Sequence, residues 1–236
     1  MITAQMADSP SPKQAAGIAA AEHVKTGTIL GLGTGSTVSF FLDALAERIK
    51  KDGLQVIGVP TSVDTAEKCK ELGIPLATLE EQPVLDLVID GADEVDPEFR
   101  LVKGGGGALL REKIVAAAGT KVIIIIGGGK RVDRLGTTFL LPVEVLPFGY
   151  LSIRERVARL GECKPYVRNT EAGEPFVTDN GNYILDCRFE KGIADPNQLH
   201  ATLSQIPGVV EIGLFLDLCD LVIEGADDGA VVTLQR

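Results

Sequence analysis

An α/β fold in two unlike parts follows from three features of the sequence. Residues 11–135 alternate short aliphatic runs with helical patterns, the signature of βαβ units. Those runs are nearly continuous in Val, Ile and Leu, as parallel strands covered on both faces require. From about Leu141 the rhythm becomes strand, helix, strand, strand, helix, strand. The first pattern predicts a Rossmann-like, mostly parallel sheet, and the second an inserted small α+β unit of ferredoxin-like βαββαβ order.

Each element has a local reason. The opening helix follows Ser11-Pro12, an N-cap serine with proline at the first helical position, and is expected to stop near Gly27, with Lys13 in its first turn. Strand Thr28–Leu32 runs into Gly33-Thr34-Gly35-Ser36-Thr37, and a helix follows with Phe41, Leu42, Leu45 and Ile49 on one stripe. Strand Gln55–Val59 leads to a helix from about Asp64 to Leu72, closed by Gly73 and followed by Pro75. Further buried strands are expected at Val84–Ile89 and Lys121–Ile126.

In the second part, strands are expected at Pro142–Leu146, Cys163–Arg168, Tyr183–Phe189 and Val209–Leu214, with helices at Ser152–Leu160 and Pro196–Gln205. Asn180-Gly181 predicts a hairpin between the two middle strands. The aliphatic tail, Leu218–Ile223 and Val231–Leu234, is expected to return to the first sheet. One domain would then comprise residues 1–140 and 215–236, and the insertion residues 141–214. Leu87-Val88-Ile89-Asp90-Gly91-Ala92-Asp93 is echoed by Leu221-Val222-Ile223-Glu224-Gly225-Ala226-Asp227. The likeness ends too soon for a duplicated βαβ unit and reads as shared turn chemistry.

Composition removes whole classes of function. With 45% apolar and 24% charged residues the chain is an ordinary globular one. It has no apolar run of the roughly 18 residues a membrane span needs, and no secretory h-region, so a cytoplasmic protein is expected. A net charge of −10 disfavours nucleic acid as a partner. Cys69, Cys163, Cys187 and Cys219 form no C-x-x-C pair and His23 lies far from His200, so no zinc site is suggested. Cys219, among aliphatic residues, reads as an inert core thiol.

Four segments carry candidate chemistry. Gly31-Leu32-Gly33-Thr34-Gly35-Ser36-Thr37 joins a strand to a helix N-terminus, where backbone N–H groups and hydroxyls make a phosphate cradle. It matches neither the dinucleotide fingerprint nor the Walker A loop, so a sugar phosphate suits it better than a nucleotide. Asp90-Gly91-Ala92-Asp93-Glu94-Val95-Asp96 sets four carboxylates in seven residues past a strand end. They suit the hydroxyls of a polyol, a metal ion, or simply a solvated loop.

The third segment is Lys103-Gly104-Gly105-Gly106-Gly107 followed by a helix bearing Glu112. Its glycines allow close backbone approach, and its amides and ammonium suit an oxyanion. Glu112 shares the apolar stripe of that helix with Leu109 and Ala116, so its carboxylate faces the core. Burial would raise its pKa toward neutrality, as a general base acting on a carbon acid requires, while a nearby Lys103 would oppose that shift. Fourth, Gly127-Gly128-Gly129-Lys130 adds another ammonium, which with Lys13 and Lys103 would give this acidic chain a local positive site.

Taken together, these segments, with Lys130-Arg131-Val132-Asp133-Arg134-Leu135-Gly136 and Pro142-Val143-Glu144-Val145, resemble ribose-5-phosphate isomerases of the A type over most of the chain. The resemblance implies a metal-free, cofactor-free aldose–ketose isomerase acting on ribose 5-phosphate and ribulose 5-phosphate, with a small lid domain and a homodimeric or homotetrameric assembly. It implies Glu112 as the base between C1 and C2 and Asp90 as the group assisting ring opening. Asp93 and Lys103 would hold hydroxyls and the enediolate. Lys13, Thr34, Gly35, Ser36, Thr37 and Lys130 would bind phosphate and sugar, beside Gly91 and Ala92, with Gly104, Gly105 and Gly106 as backbone donors. The resemblance departs at Gly127, Gly128 and Gly129, where relatives commonly carry polar side chains. Three other readings compete: a sugar-phosphate sensor, a coenzyme A transferase using a glutamate nucleophile, and a nicotinamide oxidoreductase, which the missing fingerprint disfavours.

Overall fold

The computed structural model describes residues 10–161 and 163–236. In chain order the elements are α1 (Pro12–Ala21), β1 (Ile29–Leu32), α2 (Ser36–Asp52), β2 (Ile57–Pro60), α3 (Val63–Leu72), β3 (Leu87–Gly91), β4 (Glu94–Val95), β5 (Leu101–Val102), α4 (Leu109–Ala117) and β6 (Val122–Ile126). They continue with β7 (Leu141–Val145), α5 (Tyr150–Ala158), β8 (Lys164–Val167), β9 (Tyr183–Arg188), α6 (Pro196–Ser204), β10 (Val209–Ile212), β11 (Leu214–Phe215), β12 (Leu221–Gly225) and β13 (Val231–Gln235).

The main sheet has the order β13-β12-β6-β3-β1-β2, parallel throughout except for β13 at one edge. Aliphatics fill both of its faces. Ile123 and Ile125 pack with Leu30, Leu32, Phe41 and Leu45 on the side of α1 and α2, while Ile124 and Ile126 pack with Val88, Leu109, Val115 and Phe215 on the other. From β1 the chain moves outward to β2 and then returns to β3 on the opposite side. The carboxyl ends of β1 and β3 are therefore a topological switch point, where open α/β sheets leave a crevice.

The smaller sheet has the order β10-β7-β9-β8, with every neighbouring pair antiparallel. In the sequence of its own four strands that order is fourth, first, third, second, the ferredoxin-like arrangement. Val143, Val145, Leu185, Leu199 and Leu203 form its core.

Several boundaries differ from the sequence reading. Helix α1 ends at Ala21, well before Gly27, because the next bonds tighten to three-residue spacing, His23 N–H to Ala20 O and Val24 N–H to Ala21 O. The strand expected at Val84–Ile89 lies at Leu87–Gly91. Val84 is 64% exposed, whereas Asp90 and Gly91 pair in register with Ile124 and Ile125 of β6. Asp90 is thus inside the strand and not beyond it. The run expected as one strand to Leu214 is interrupted at Gly213, whose N–H donates to Pro142 O while its carbonyl accepts from Lys103 N–H. Beyond it β11 joins β5 and β4 in a third sheet that the sequence reading missed. Short two-residue strands carry too little pattern to be read.

Candidate active site

At the switch point one cleft is lined by Lys13, Thr34, Gly35, Ser36, Thr37, Gly91, Ala92, Asp93, Lys103, Gly104, Gly105, Gly106, Glu112, Gly127 and Lys130. Segments more than a hundred residues apart in sequence meet there because β1, β3 and β6 end at the same edge of the sheet. Asp90 lies directly beneath, buried and bonded to this lining. A larger cavity of about 720 Å³ lies elsewhere, against Phe99, Val222 and Leu234. Of its lining groups Asp96 is held by Arg100 and Arg131 by Glu224, whereas the smaller cleft gathers Lys13, Asp93, Lys103, Glu112 and Lys130, so chemistry points to the smaller cleft.

The centre of the site is a buried triad of charges. Lys103 Nζ donates to Gly91 O at 2.5 Å and to Glu112 Oε1 at 3.1 Å, and lies 3.1 Å from Asp90 Oδ2. Asp90 Oδ1 accepts from the N–H groups of Thr34 (3.1 Å) and Gly91 (2.7 Å). Two carboxylates thus share one ammonium away from water. Burial and the neighbouring Asp90 charge push the Glu112 carboxyl up to about 8, against the opposing pull of Lys103. Burial works to lower Lys103, but Asp90 and Glu112 outweigh it and hold the ammonium above its ordinary range. Glu112 Oε2 is buried and has no hydrogen-bond partner among the described residues. Leaving a buried carboxylate oxygen unpaired is costly, and the Glu112 side chain bears that cost where it lines the cleft.

Close approach makes the triad possible. Gly33 lies against Asp90 so tightly that a Cβ there would stand 2.1 Å from Asp90 Oδ1. On the far side, Asp93 Oδ2 accepts from Gly105 N–H at 2.8 Å, and Lys130 Nζ approaches Asp93 Oδ1 at 3.6 Å. The Gly35 end of α2 has no side-chain cap, which leaves first-turn amides for an anion. Lys13 Nζ donates to Ser36 Oγ at 2.9 Å, bringing an ammonium to that helix end. Of the unusual glycines preceding Lys130, Gly127 lines the cleft against the Lys13 stem.

Some side chains of these segments make bonds away from the cleft. Thr34 Oγ1 is spent internally, donating to Ser62 Oγ at 2.8 Å within a hydroxyl cluster with Thr61 and Thr65, and Thr65 Oγ1 donates to Gly33 O. The acidic run divides. Asp90 and Asp93 serve the cleft, whereas buried Glu94 accepts from Gly136, Thr138 and Phe139 N–H, and Asp96 from Arg100. Among the described residues no three His, Cys, Asp or Glu side chains converge as a metal donor set.

The sequence reading also missed contacts from the smaller sheet. Arg168 Nη1 donates to Gly104 O (3.0 Å) and Gly105 O (3.1 Å), and the Asp179-Asn180 turn accepts from Arg111 of α4 while Asp179 Oδ2 accepts from Val63 N–H. Ser62, as a helix-capping serine before Val63, and the Asn180-Gly181 turn carried local signals, but neither pointed to these partners.

The ribose 5-phosphate isomerase A (phosphoriboisomerase A) family model matches residues 57–229. A ribose-5-phosphate isomerase A from Synechococcus sp. (strain JA-3-3Ab) is 52% identical over 98% of this chain and 100% of its own length. One from Methanoregula boonei is 50% identical over 87% of this chain and 85% of its own. Among solved structures, the ribose 5-phosphate isomerase from Plasmodium falciparum superposes with a TM-score of 0.91 at 39% identity, covering 95% of this chain and 97% of that one. A D-ribose-5-phosphate isomerase in complex with phospho-erythronic acid gives 0.90 at 37% identity, covering 95% and 97%.

Proposed function

The chain belongs to the ribose 5-phosphate isomerase A family, enzymes that interconvert ribose 5-phosphate and ribulose 5-phosphate, and from that membership we propose that Glu112 is the base that moves the proton between C1 and C2. The observation that carries the proposal is the buried Glu112 Oε2, unpartnered in a cleft while Oε1 is held by Lys103.

In the forward direction Glu112 removes the C2 proton of the open-chain aldose. The C2–H electron pair forms the C1–C2 double bond, and the C1 carbonyl oxygen becomes the enediolate oxyanion. Transfer of the O2 proton to O1, with return of the carbon-bound proton from Glu112 to C1, yields the ketose. Lys103 stabilises the oxyanion through its charge, two of its N–H groups being donated to Gly91 O and Glu112 Oε1 with Asp90 Oδ2 3.1 Å from its Nζ. As Glu112 takes up the proton its hold on Lys103 weakens, and one ammonium N–H is released toward the oxyanion.

Asp90 assists ring opening, Asp93 receives sugar hydroxyls, and the Gly104–Gly106 loop supplies backbone donation to the substrate. The α2 amides with Lys13, Ser36, Thr37 and Lys130 grip the phosphate. The reaction belongs to the non-oxidative pentose phosphate pathway, with residues 141–214 acting as a small domain over the cleft. Assembly is as a homodimer or homotetramer; sedimentation at monomer mass would contradict that part.

The test is Glu112→Gln, which keeps the shape and removes the base. Turnover of ribose 5-phosphate should fall by about 10² to 10⁴ with the fold intact by circular dichroism. Turnover near the wild-type rate would remove Glu112 from the chemistry.

A further inference from the structure

The glycine loop at the centre of the cleft is held in shape by a residue outside it. Arg168 follows β8 with its backbone pinned on both sides, its N–H donating to Ile184 O and its carbonyl accepting from Phe176 N–H, each at 2.8 Å. One edge of its guanidinium is engaged by Asp186, Nε to Oδ2 at 2.9 Å and Nη2 to Oδ1 at 2.6 Å. The remaining Nη1 donates to both Gly104 O and Gly105 O. Phe176 lies 5.9 Å from the guanidinium carbon and occupies the space where a Cβ on Gly107 would stand, 2.6 Å from its ring atoms.

These contacts fix the directions of two consecutive peptide planes. In a trans peptide the carbonyl of one residue and the N–H of the next point opposite ways. With Gly104 O turned to Arg168, Gly105 N–H is turned to Asp93, as its 2.8 Å bond records. With Gly105 O turned the same way, Gly106 N–H is turned away from Arg168. Gly106 lines the cleft, and its amide has no hydrogen-bond acceptor among the described residues.

We propose that Arg168, braced by Asp186, is a positioning residue for the isomerisation: it sets the glycine loop so that the Gly106 amide meets the enediolate oxyanion. The inference rests on the reading of this cleft as the isomerase site. A lysine cannot replace it, because one ammonium lacks the planar fork that engages a carboxylate on one edge and two carbonyls on another.

The test uses the whole protein with Arg168→Ala, Arg168→Lys and Asp186→Asn, read by kcat, KM for ribose 5-phosphate, competitive inhibition by inorganic phosphate and thermal midpoint. Arg168→Ala should lower kcat by about 10²-fold, the usual effect of losing one oxyanion donor, with KM and phosphate inhibition within about threefold of wild type. Added guanidinium ion should recover part of the loss, Arg168→Lys should stay impaired, and Asp186→Asn should lower kcat in the same direction by less. An unchanged kcat in Arg168→Ala, full activity in Arg168→Lys, or a loss shared equally by KM and phosphate inhibition would overturn the inference. Where Arg168→Ala does not fold, Asp186→Asn decides by the same criteria. Glu112→Gln run beside them separates the two readings: a dead Glu112→Gln with a normal Arg168→Ala removes Arg168 alone, and an active Glu112→Gln removes the base assignment whatever Arg168 does.

Discussion

Two strands of the main sheet end in almost the same words, Leu87-Val88-Ile89-Asp90-Gly91-Ala92-Asp93 and Leu221-Val222-Ile223-Glu224-Gly225-Ala226-Asp227, and both run parallel to β6, one on each side. Their carboxylates have opposite fates. Asp90 is buried, takes two backbone N–H groups and faces a buried ammonium. Glu224 pairs at 2.7 Å with Arg131, whose side chain is 53% exposed, and Asp227 sits exposed in the turn that leads directly to β13. After β3 the chain passes through β4 and β5 into the Lys103–Gly107 loop and α4, which deliver Lys103 and Glu112. What makes Asp90 a site residue is therefore the chain that returns to it, not the seven residues around it.

The strongest way to break the contrast is to remove the returning ammonium. Lys103→Met leaves Asp90 and Glu112 both buried with no cation, and loss of one partner of a buried ionic pair costs about 3–5 kcal/mol. A urea melt should show that loss, and kcat should fall by at least about 10²-fold. A Lys103→Met protein as stable and as active as wild type would mean that the triad is not coupled.

Next in size is the pH dependence. Glu112 works ionised and its carboxyl sits at about 8, so kcat/KM should rise tenfold per pH unit below that value and flatten above it. For stability the sign follows from the raised value. The folded state holds this proton more tightly than the unfolded chain, where the group titrates near 4.5. Its stabilisation is complete below the unfolded value and is lost as pH rises through about 8. Wild type should therefore lose thermal stability relative to Glu112→Gln across that window. An acid limb near 4.5, with parallel stability profiles, would contradict the burial argument.

The smallest effect belongs at the echo. Arg131→Ala breaks an ion pair with one largely exposed partner and should cost no more than about 1 kcal/mol. Its kcat should be unchanged, and a marked loss of turnover would show that the two strand ends are not as different as their surroundings indicate.

Much of this was legible in the sequence because it is local. The Gly33–Thr37 turn, the apolar stripe that places Glu112, and the four-glycine run each declare themselves within a few residues. The division of the acidic run was not legible, since Glu94 is drawn away from the cleft by backbone amides more than forty residues on, near Gly136. Arg168 was invisible for the same reason: its partners Gly104 and Gly105 lie more than sixty residues earlier, and nothing in its own neighbourhood marks it. Thr34 shows the converse limit: it lines the cleft as its motif suggests, but its hydroxyl is engaged by Thr61, Ser62 and Thr65, partners the motif does not contain.

The most direct measurement is the fate of deuterium placed at C2 of ribose 5-phosphate, followed in single turnovers of wild type and Glu112→Gln. Wild type should cleave the C2–D bond, passing the label to C1 or to solvent, and Glu112→Gln should do so about 10² to 10⁴ times more slowly. Label leaving C2 at the wild-type rate in a folded Glu112→Gln protein would contradict the account.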